Sequence, residues 1–272
     1  MRENMRRFSY IMMVLTLSIS LVGMVAVGIA AGISVPGDLD GDLAISDEEL
    51  DAARADQVAG NISSEELEEI VHIHESYPRT IIDGSGMEVT IYRPVERVVC
   101  TTPQQLETLR SIKVPKDTIV GVPQDMGRYS YLSEFAGVPS IGHFYEFDLE
   151  TILVLEPDVV IVHPGPGPTG GFEDLLTKLD ASGLTVFRFR CNVPETYSDD
   201  VTKLGVIFER EVEAAEFLDF YEGVLNSVEE RVSEIPEEER PMVYCEYDVY
   251  KTSTSDVYPI TMAGGRYIFE GA

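Results

Sequence analysis

Between Arg97 and Phe208, short runs rich in valine and isoleucine alternate with amphipathic segments. The runs read RVVCT, DTIVGV, DVVIV and LTVFRF, and helices are predicted near 104–112, 149–155, 172–182 and 195–208. Buried strands of this composition, alternating with helices, are typical of a parallel sheet. The fold class predicted for this region is therefore α/β, with a parallel-sheet, Rossmann-like lobe.

Two further elements flank this region. Before it, TIID and MEVTIY are separated by the turn Gly84-Ser-Gly86, a pattern that predicts a β-hairpin. After it, a long helix is predicted from Glu211 to Val232, and Pro236 ends it. Its predicted apolar stripe consists of Val212, Ala215, Leu218, Tyr221, Leu225, Val228 and Val232.

The amino-terminal segment carries Arg2, Arg6 and Arg7 and then no charged residue from Phe8 to Gly37. Its apolar core is long enough to cross a bilayer as a helix, and the arginines predict that the amino terminus stays inside. The small residues at 30–32 are compatible with signal cleavage, so an uncleaved anchor and a cleaved signal peptide both remain open. Both place the rest of the chain outside the cytoplasmic membrane. A bacterial-type lipid anchor is not expected, because no cysteine lies near the end of the apolar run.

The charge balance and the missing motifs exclude several function classes. The chain has 48 acidic and 20 basic residues, a net charge of -28, and such a surface repels nucleic-acid phosphates. Its three cysteines are far apart and form no CxxC, so a zinc or iron–sulfur site is not expected. No GxSxG and no Walker loop is present, so the chain is not expected to be an enzyme.

An acidic segment at 34–78 contains a pattern that resembles the calcium loop of EF-hands and dockerins. Calcium takes six to eight oxygen ligands from alternate positions of such a loop. Positions 1, 3, 5, 7, 9 and 12 are Asp38, Asp40, Asp42, Ala44 (through its carbonyl), Ser46 and Glu49. The pattern departs at position 6, where Leu43 replaces glycine. Ser46 and Glu49 also fit a helix capping box, and the two roles are compatible.

A second copy of this pattern is expected in the same segment. It extends from Ala55 to Glu66 and has no acidic residue at positions 1, 3 and 5. A degenerate loop that pairs with the first one and binds no metal is therefore expected.

Several short motifs in fixed order resemble the metal-chelate class of ABC-transporter solute-binding proteins, which take up ferric siderophores, haem or vitamin B12. They include Val138-Pro-Ser-Ile-Gly142, then DLETILVLEPDVV at 148–160, and GGRYIF at 264–269. The resemblance implies two α/β lobes joined by one long helix. The implied domains are 1–33 (signal or anchor), 34–78 (EF-hand-like), 79–208 (first lobe), 209–236 (linker helix) and 237–272 (an incomplete second lobe).

The resemblance also implies where a ligand and a permease would bind. A metal chelate would lie between the lobes, against loops at the carboxyl ends of the strands. The implied ligand-binding residues are Thr102, Gln104, Arg128, Tyr129, His143, Phe144, Tyr145 and His163. Phe144 and Tyr145 offer flat apolar area, Arg128 could pair with a carboxylate, and His143, Tyr145 or His163 could be an axial ligand to the metal. Glu150 would dock on the permease.

Two other functions remain open from the sequence. One is a calcium-dependent interaction protein of the cell surface. The other is a non-functional fragment of a binding protein, because a cleft with one wall would bury a ligand on one side only.

Overall fold

The computed structural model describes residues 33–165, 171–248, 251–252 and 257–268. The predicted signal or anchor at 1–33 lies, apart from its last residue, outside the described residues. Within them, no helix is long and apolar enough to cross a membrane. The chain divides into two compact units, Met1–Ile70 and Val71–Ala272, and each is described by itself.

The first unit contains helix α1 (Asp47–Ala59) and most of helix α2 (Ser64–Ser76). The predicted capping box is confirmed: the Ser46 side chain accepts from the Glu49 N–H, and the Glu49 side chain accepts from the Ser46 N–H. Gly60, at φ 78°, caps the other end of α1. The apolar side chains of this unit are buried at Val35, Leu43, Ile45, Leu50, Ala53 and Ile70.

The second copy of the loop pattern is not a loop in the structure. Its positions 1, 3 and 5, at Ala55, Gln57 and Ala59, lie within α1. The prediction of a degenerate partner loop was wrong because these residues favour a helix, which continues to Gly60.

The second unit contains the end of α2 and then the predicted hairpin, β1 (Arg79–Ile82) and β2 (Glu88–Ile91). The strands of the central sheet are β3 (Val98–Cys100), β4 (Ile119–Gly121), β7 (Val159–Val162) and β8 (Thr185–Arg188). They are all parallel, and their order in the sheet is β4-β3-β7-β8. The predicted α/β class with a parallel sheet is thereby confirmed. A small hairpin, β5 (Gly142–His143) and β6 (Glu146–Phe147), was not predicted.

Helices cover this sheet, close to the predicted places. They are α3 (Pro103–Ser111), α4 (Leu149–Val154), α5 (Gly171–Asp180), α6 (Pro194–Ile207) and the long α7 (Glu211–Ser233). Short 3₁₀ segments occur at Lys116–Thr118, Met126–Arg128, Ser130–Phe135 and Glu237–Glu239. The core beneath α4 and α5 includes Val99, Ile141, Ile152, Val160, Val162, Phe172 and Leu179.

The hairpin is fastened to the edge strand β8 by hydrogen bonds. The Gly84 N–H donates to the Arg188 carbonyl at 2.8 Å, and buried Asp83 accepts from the Arg188 N–H at 3.1 Å. A Cβ on Gly84 would lie 2.7 Å from that carbonyl oxygen, so only glycine fits this approach. These bonds hold the end of β8 in place.

The long helix α7 packs through a stripe that differs from the predicted one only at its start, since Leu218, Tyr221 and the later members are partly buried. Val212 is 70 % exposed and Ala215 is also exposed, whereas Ala214 is buried. Tyr197 of α6 contacts the rings of Phe217 and Tyr221 at 6.2 and 5.1 Å, and this contact sets which face of α7 is covered.

After α7 the chain starts another small α/β arrangement. Strand β9 (Met242–Val243) pairs in parallel with β12 (Arg266–Tyr267). Helix α8 (Val257–Met262) precedes β12, and β10 (Glu246–Asp248) pairs with β11 (Lys251–Thr252).

Candidate functional site

The candidate ligand site lies at the carboxyl edge of the parallel sheet. Strands β3, β7 and β8 end at Cys100, Val162 and Arg188, so the segments at 101–104, 163–165 and 189–191 follow neighbouring strand ends. Open parallel sheets bind their ligands at this edge. We call this region the carboxyl edge.

Buried Gln105 holds two of these segments together. Its Oε1 accepts from the N–H groups of Thr101 and Thr102 at 2.9 and 3.0 Å, and its Nε2 donates to the Phe189 carbonyl at 3.0 Å. Of the two predicted residues beside it, Thr102 is buried and caps α3, while Gln104 is exposed. Thr102 is therefore committed to the helix cap. The sequence prediction missed Gln105, because its side chain acts across the sheet.

The rings of four predicted ligand residues and of Phe172 form an aromatic cluster with Tyr145 at its centre. Its ring centroid lies 3.9 Å from that of Phe144, 6.3 Å from His143, 6.4 Å from His163 and 5.0 Å from Phe172. Phe172 is buried in the core, whereas His143 is exposed and Phe144 and Tyr145 are half-buried. These five residues, called the aromatic cluster below, join the hairpin β5–β6 to the end of β7 and to α5. They offer partly exposed flat rings to a ligand.

His163 is the least solvated polar group of the aromatic cluster. Its Nδ1 is buried and has no hydrogen-bond partner within the described residues. Burial lowers the pKa of His163 below its usual value, and the nearby positive charge of Arg190 lowers it further. The imidazole is therefore neutral at pH 7 and able to accept from a ligand or to bind a metal.

Arg190 belongs to this site and was missed by the sequence prediction. It stands two residues after the end of β8, is exposed, and its Nη2 lies 3.5 Å from where a Cβ on Gly165 would be. Buried Asp200 accepts from the backbone N–H groups of Arg190 and Cys191, which fixes the chain at this point. The available signal was its position just after a strand, but the run FRFR was interpreted as strand alone.

Arg128 and Tyr129 lie in the loop between β4 and β5. The Arg128 side chain is 79 % exposed, and its Nε lies 3.8 Å from the Asp125 carboxylate. The Tyr129 ring packs edge-to-face on Tyr131, with centroids 6.0 Å apart. The ring contacts of Tyr129 are thus with its own loop.

Glu150, the predicted permease-docking residue, is exposed in the first turn of α4. Its N–H donates to the Asp148 side chain at 3.0 Å, and Asp148 also accepts from the Thr151 hydroxyl at 2.8 Å. The hydrogen bond from Thr151 is the main cause of a lowered pKa at Asp148. The Glu150 carboxylate itself stays available at the surface.

The acidic loop of the first unit brings three of its predicted ligands together. One carboxylate oxygen from each of Asp38, Asp40 and Asp42 lies within 4.8 Å of the others. Leu43, at position 6, adopts φ 69°, the left-handed conformation that glycine usually supplies. The loop therefore has the turn that the pattern requires, although a leucine in this conformation costs about 1–2 kcal/mol.

Glu49 is not part of that group of three carboxylates. One of its oxygens accepts from the N–H groups of Leu39 and Asp40, and the other accepts from Ser46. These hydrogen bonds, that from the Ser46 N–H first, lower the pKa of Glu49 to about 2. A bidentate bond from Glu49 to calcium would need these contacts to rearrange.

Comparison with known proteins identifies the family of the chain. Residues 98–271, which include the central sheet and the long helix, match the periplasmic binding protein family. The chain belongs to this family. Its members in the comparison are solute-binding proteins of ABC transporters, which are not enzymes, and this confirms the prediction from the missing catalytic motifs.

One curated relative of this periplasmic binding protein is the uncharacterized ABC transporter substrate-binding lipoprotein YvrC of Bacillus subtilis. It is 25 % identical over 185 residues, covering 65 % of this chain and 56 % of the relative. The chain thus spans little more than half of that protein's length.

Solved structures of this fold include proteins with different ligands. The TroA-like FepB of Veillonella parvula is 26 % identical with a TM-score of 0.56, covering 72 % of this chain and 63 % of that one. The molybdate-binding MolA of Haemophilus influenzae is 17 % identical with a TM-score of 0.58, at 70 % and 65 % coverage. The vitamin B12-binding BtuF of Vibrio cholerae is 18 % identical with a TM-score of 0.52, at 66 % and 68 % coverage. The last two support the fold alone.

Proposed function

We propose that this periplasmic binding protein captures a metal chelate outside the cytoplasmic membrane and delivers it to the permease of an ABC importer. The chelate would be a ferric siderophore, haem or a corrinoid. The observation that carries this proposal is the aromatic cluster at the carboxyl edge, where Tyr145 joins four other rings. Flat, partly exposed rings suit the large apolar surface of a chelate, and neutral His163 adds a nitrogen ligand.

A titration of the full chain with haemin, cyanocobalamin and ferric siderophores tests this proposal. The chain has no tryptophan and 13 tyrosines, so quenching of tyrosine fluorescence reports binding of a chelate. Phe144→Ala should raise the Kd of the bound chelate about tenfold, equivalent to ~1.4 kcal/mol of lost contact. The matched control is Phe220→Ala, because Phe220 is exposed on the long helix and should leave the Kd unchanged. The proposal fails if no chelate binds, or if both variants behave alike.

Docking on the permease is assigned to Glu150. Two features support this: Glu150 is exposed in the first turn of α4, and its carboxylate has no hydrogen-bond or ion-pair partner among the described residues. A Glu150→Gln variant should bind chelate as the original chain does but support less uptake into cells that carry the cognate permease. Equal uptake by both proteins would contradict this assignment.

The amino-terminal segment is assigned as a membrane tether or a cleaved signal, on sequence alone. Mass spectrometry of the protein recovered from membranes would show whether residues 1–33 are retained. A protein found only in the cytoplasm would contradict both alternatives.

Calcium binding by the acidic loop is a second candidate function, with a calcium-dependent contact at the cell surface as its consequence. The convergence of Asp38, Asp40 and Asp42 favours it. Calorimetry of the full chain should give a calcium Kd of about 10⁻⁴–10⁻³ M, the range of extracellular modules. Asp40→Asn should abolish the heat of binding. Glu48→Gln should not, because Glu48 is an exposed carboxylate in the first turn of α1 and is not one of the six predicted ligands. An isotherm unchanged by Asp40→Asn would eliminate this site.

A further inference from the structure

Gln105 joins two strand ends that do not pair with each other. In the central sheet β7 lies between β3 and β8, so the segments that follow β3 and β8 are two strands apart, about 10 Å. The Gln105 side chain, at 0 % exposure, accepts from the Thr102 N–H at 3.0 Å and donates to the Phe189 carbonyl at 3.0 Å. One buried amide thus links the two neighbours of β7, the strand that precedes His163.

The amide at this position differs from the two capping boxes of the first unit, which use a carboxylate. In one of them Glu49 accepts from the Ser46 N–H at 2.9 Å. In the other, Glu66 accepts from the Ser63 N–H at 2.7 Å. Gln105 has the same capping role at the start of α3, where a carboxylate would also gain from the helix dipole. An ionised carboxylate cannot donate to a carbonyl, however, so the amide is explained by the bridge across the sheet and not by the cap.

The end of β8 is fixed on its other sides by buried carboxylates. Asp83, which is 2 % exposed, accepts from the Arg188 N–H at 3.1 Å. Asp200, also 2 % exposed, accepts from the Cys191 N–H at 3.0 Å. These contacts attach the end of β8 to the hairpin β1–β2 and to α6. Gln105 attaches it to the end of β3, so this side chain sets the spacing between the segments that follow β3 and β8.

We propose that Gln105 is a positioning residue of the ligand site: it holds the segments after β3 and β8 at the spacing that the bound chelate needs, without contacting the chelate itself. Because Gln105 is fully buried, its effect on affinity passes through the backbone groups that it holds. A site that is already rigid loses less conformational freedom when a ligand binds, which strengthens binding. This inference rests on the proposed function, because it concerns the same site.

Two substitutions separate the positioning role of Gln105 from its capping role. Gln105→Met keeps the approximate size and removes the hydrogen bonds of the side chain. Gln105→Glu keeps the acceptor of the helix cap but places a carboxylate oxygen against the Phe189 carbonyl oxygen, and the two repel. The full chain is titrated with haemin, cyanocobalamin and a ferric trihydroxamate, followed by tyrosine fluorescence. For each probe that binds, both variants should raise the Kd about tenfold at about pH 8, where the carboxylate is ionised.

The pH profile gives a readout that a purely structural role would not change. As pH falls from about 8 to about 5, the buried carboxyl of the Gln105→Glu variant gains a proton and can donate to the Phe189 carbonyl. Its Kd, divided by that of the original chain at the same pH, should therefore fall toward one. The same ratio for Gln105→Met should stay constant, since the titration of His163 is common to all these proteins. The control is Gln57→Glu, the same chemical change on α1, and its ratio should stay near one at every pH.

The outcomes separate the inference from a structural role and from the proposed function. A Gln105→Met protein that unfolds at a lower temperature but binds the probe like the original chain would overturn the inference and leave the proposed function intact. A higher Kd in Gln105→Glu alone would also overturn it, because the added charge would then be the cause. Absence of binding of every probe to the original chain would refute the proposed function, and the inference with it.

Hydrogen exchange of the original chain gives a measurement that needs no variant to fold. Mass spectrometry follows the backbone exchange of the peptides that contain 101–102 and 189–191. Exchange in both should slow when the probe binds, because the chelate and the buried amide then hold the same two segments. Exchange that the probe leaves unchanged in both peptides would overturn the inference.

Discussion

The two edges of the central sheet use their charged groups differently. At the amino edge, before β3 and β7, Arg93 donates to Asp158 at 2.5 Å, and the Arg97 guanidinium donates to the carbonyls of Leu155 and Glu156. At the carboxyl edge, Arg190 and the Nδ1 of His163 have no partner among the described residues. Charges with partners inside the chain stabilise the fold, whereas those without are available to a ligand.

Near the amino edge, the carboxylate of Glu209 has several partners within the chain. One of its oxygens accepts from the His72 ring nitrogen at 2.6 Å, the Tyr77 hydroxyl at 3.0 Å and the Arg79 guanidinium at 3.1 Å. Arg79 also lies over the Tyr77 ring, 4.7 Å from its centroid. The residue itself has φ 55° in the turn between α6 and α7, so these contacts hold the start of the long helix.

The largest effect is expected from Asp158→Ala. Its two oxygens accept from Arg93 and from the N–H groups of Glu96 and Arg97, and its side chain is 14 % exposed. The free energy of unfolding should fall by about 2–4 kcal/mol, because the donors lose their partner. Urea denaturation followed by circular dichroism measures it. Asp117→Ala, at an exposed carboxylate of the same edge, should change it by at most about 0.5 kcal/mol. Equal losses of unfolding free energy in the two variants would show that the paired charges of the amino edge do not stabilise the fold.

A smaller loss is expected from Glu209→Gln. An amide keeps the shape but removes the charge that three donors share, so unfolding should become easier by about 1–2 kcal/mol. The control is Glu211→Gln, because that carboxylate is half-exposed and 3.4 Å from Arg79. A Glu209→Gln protein as stable as the control would show that the contacts are weak.

The carboxyl edge should respond to pH through His163. Its pKa is lowered in the folded chain, so the unfolded chain binds a proton at higher pH than the folded one does. The stability that neutral His163 contributes is complete above the unfolded pKa of about 6.5 and is lost as pH falls through the folded value. His163→Gln should flatten the fall in unfolding free energy between about pH 7.5 and 5. An unchanged pH profile would contradict the assignment of a neutral imidazole.

The smallest effect is expected at Arg190. Removing an unpaired, exposed guanidinium should change the free energy of unfolding by no more than about 0.5 kcal/mol. Arg93→Ala should cost about 1–3 kcal/mol, because Asp158 then loses a charged donor. Thermal melts of the two variants, measured in parallel, check this difference in stability. Equal losses would show that Arg190 also stabilises the fold.

Much of the fold could be predicted because its signals are local. The hairpin, the four strands and the helices each follow from a short periodic pattern between turn residues. The apolar stripe of α7 was placed partly wrong, since Val212 is exposed and Ala214 buried, because the neighbouring helix α6 decides which face is covered. The hairpin β5–β6 is too short, at two residues a strand, to leave a periodic signal.

The candidate site was predicted in part for the same reason. His143, Phe144, Tyr145 and His163 follow strand-like runs, and the structure brings their rings together. Thr102 stands at a strand end too, but the backbone of α3 uses its hydroxyl. Arg190 was missed because the sequence of a strand-like run does not show whether an arginine in it has an ion-pair partner in the folded chain.

The sequence by itself determined the order of strands and helices, the parallel sheet, and therefore the edge at which strand-end residues gather. Only the tertiary structure decided which charges there are neutralised. Arg188 and Arg190 are two residues apart in one run. Arg188 forms an ion pair with Asp180, whereas Arg190 forms none among the described residues. Arg93 and Asp158 are 65 residues apart and meet because β3 lies beside β7. Pairing depends on distances of a few ångströms across the sheet, and those distances exist only once the chain has folded.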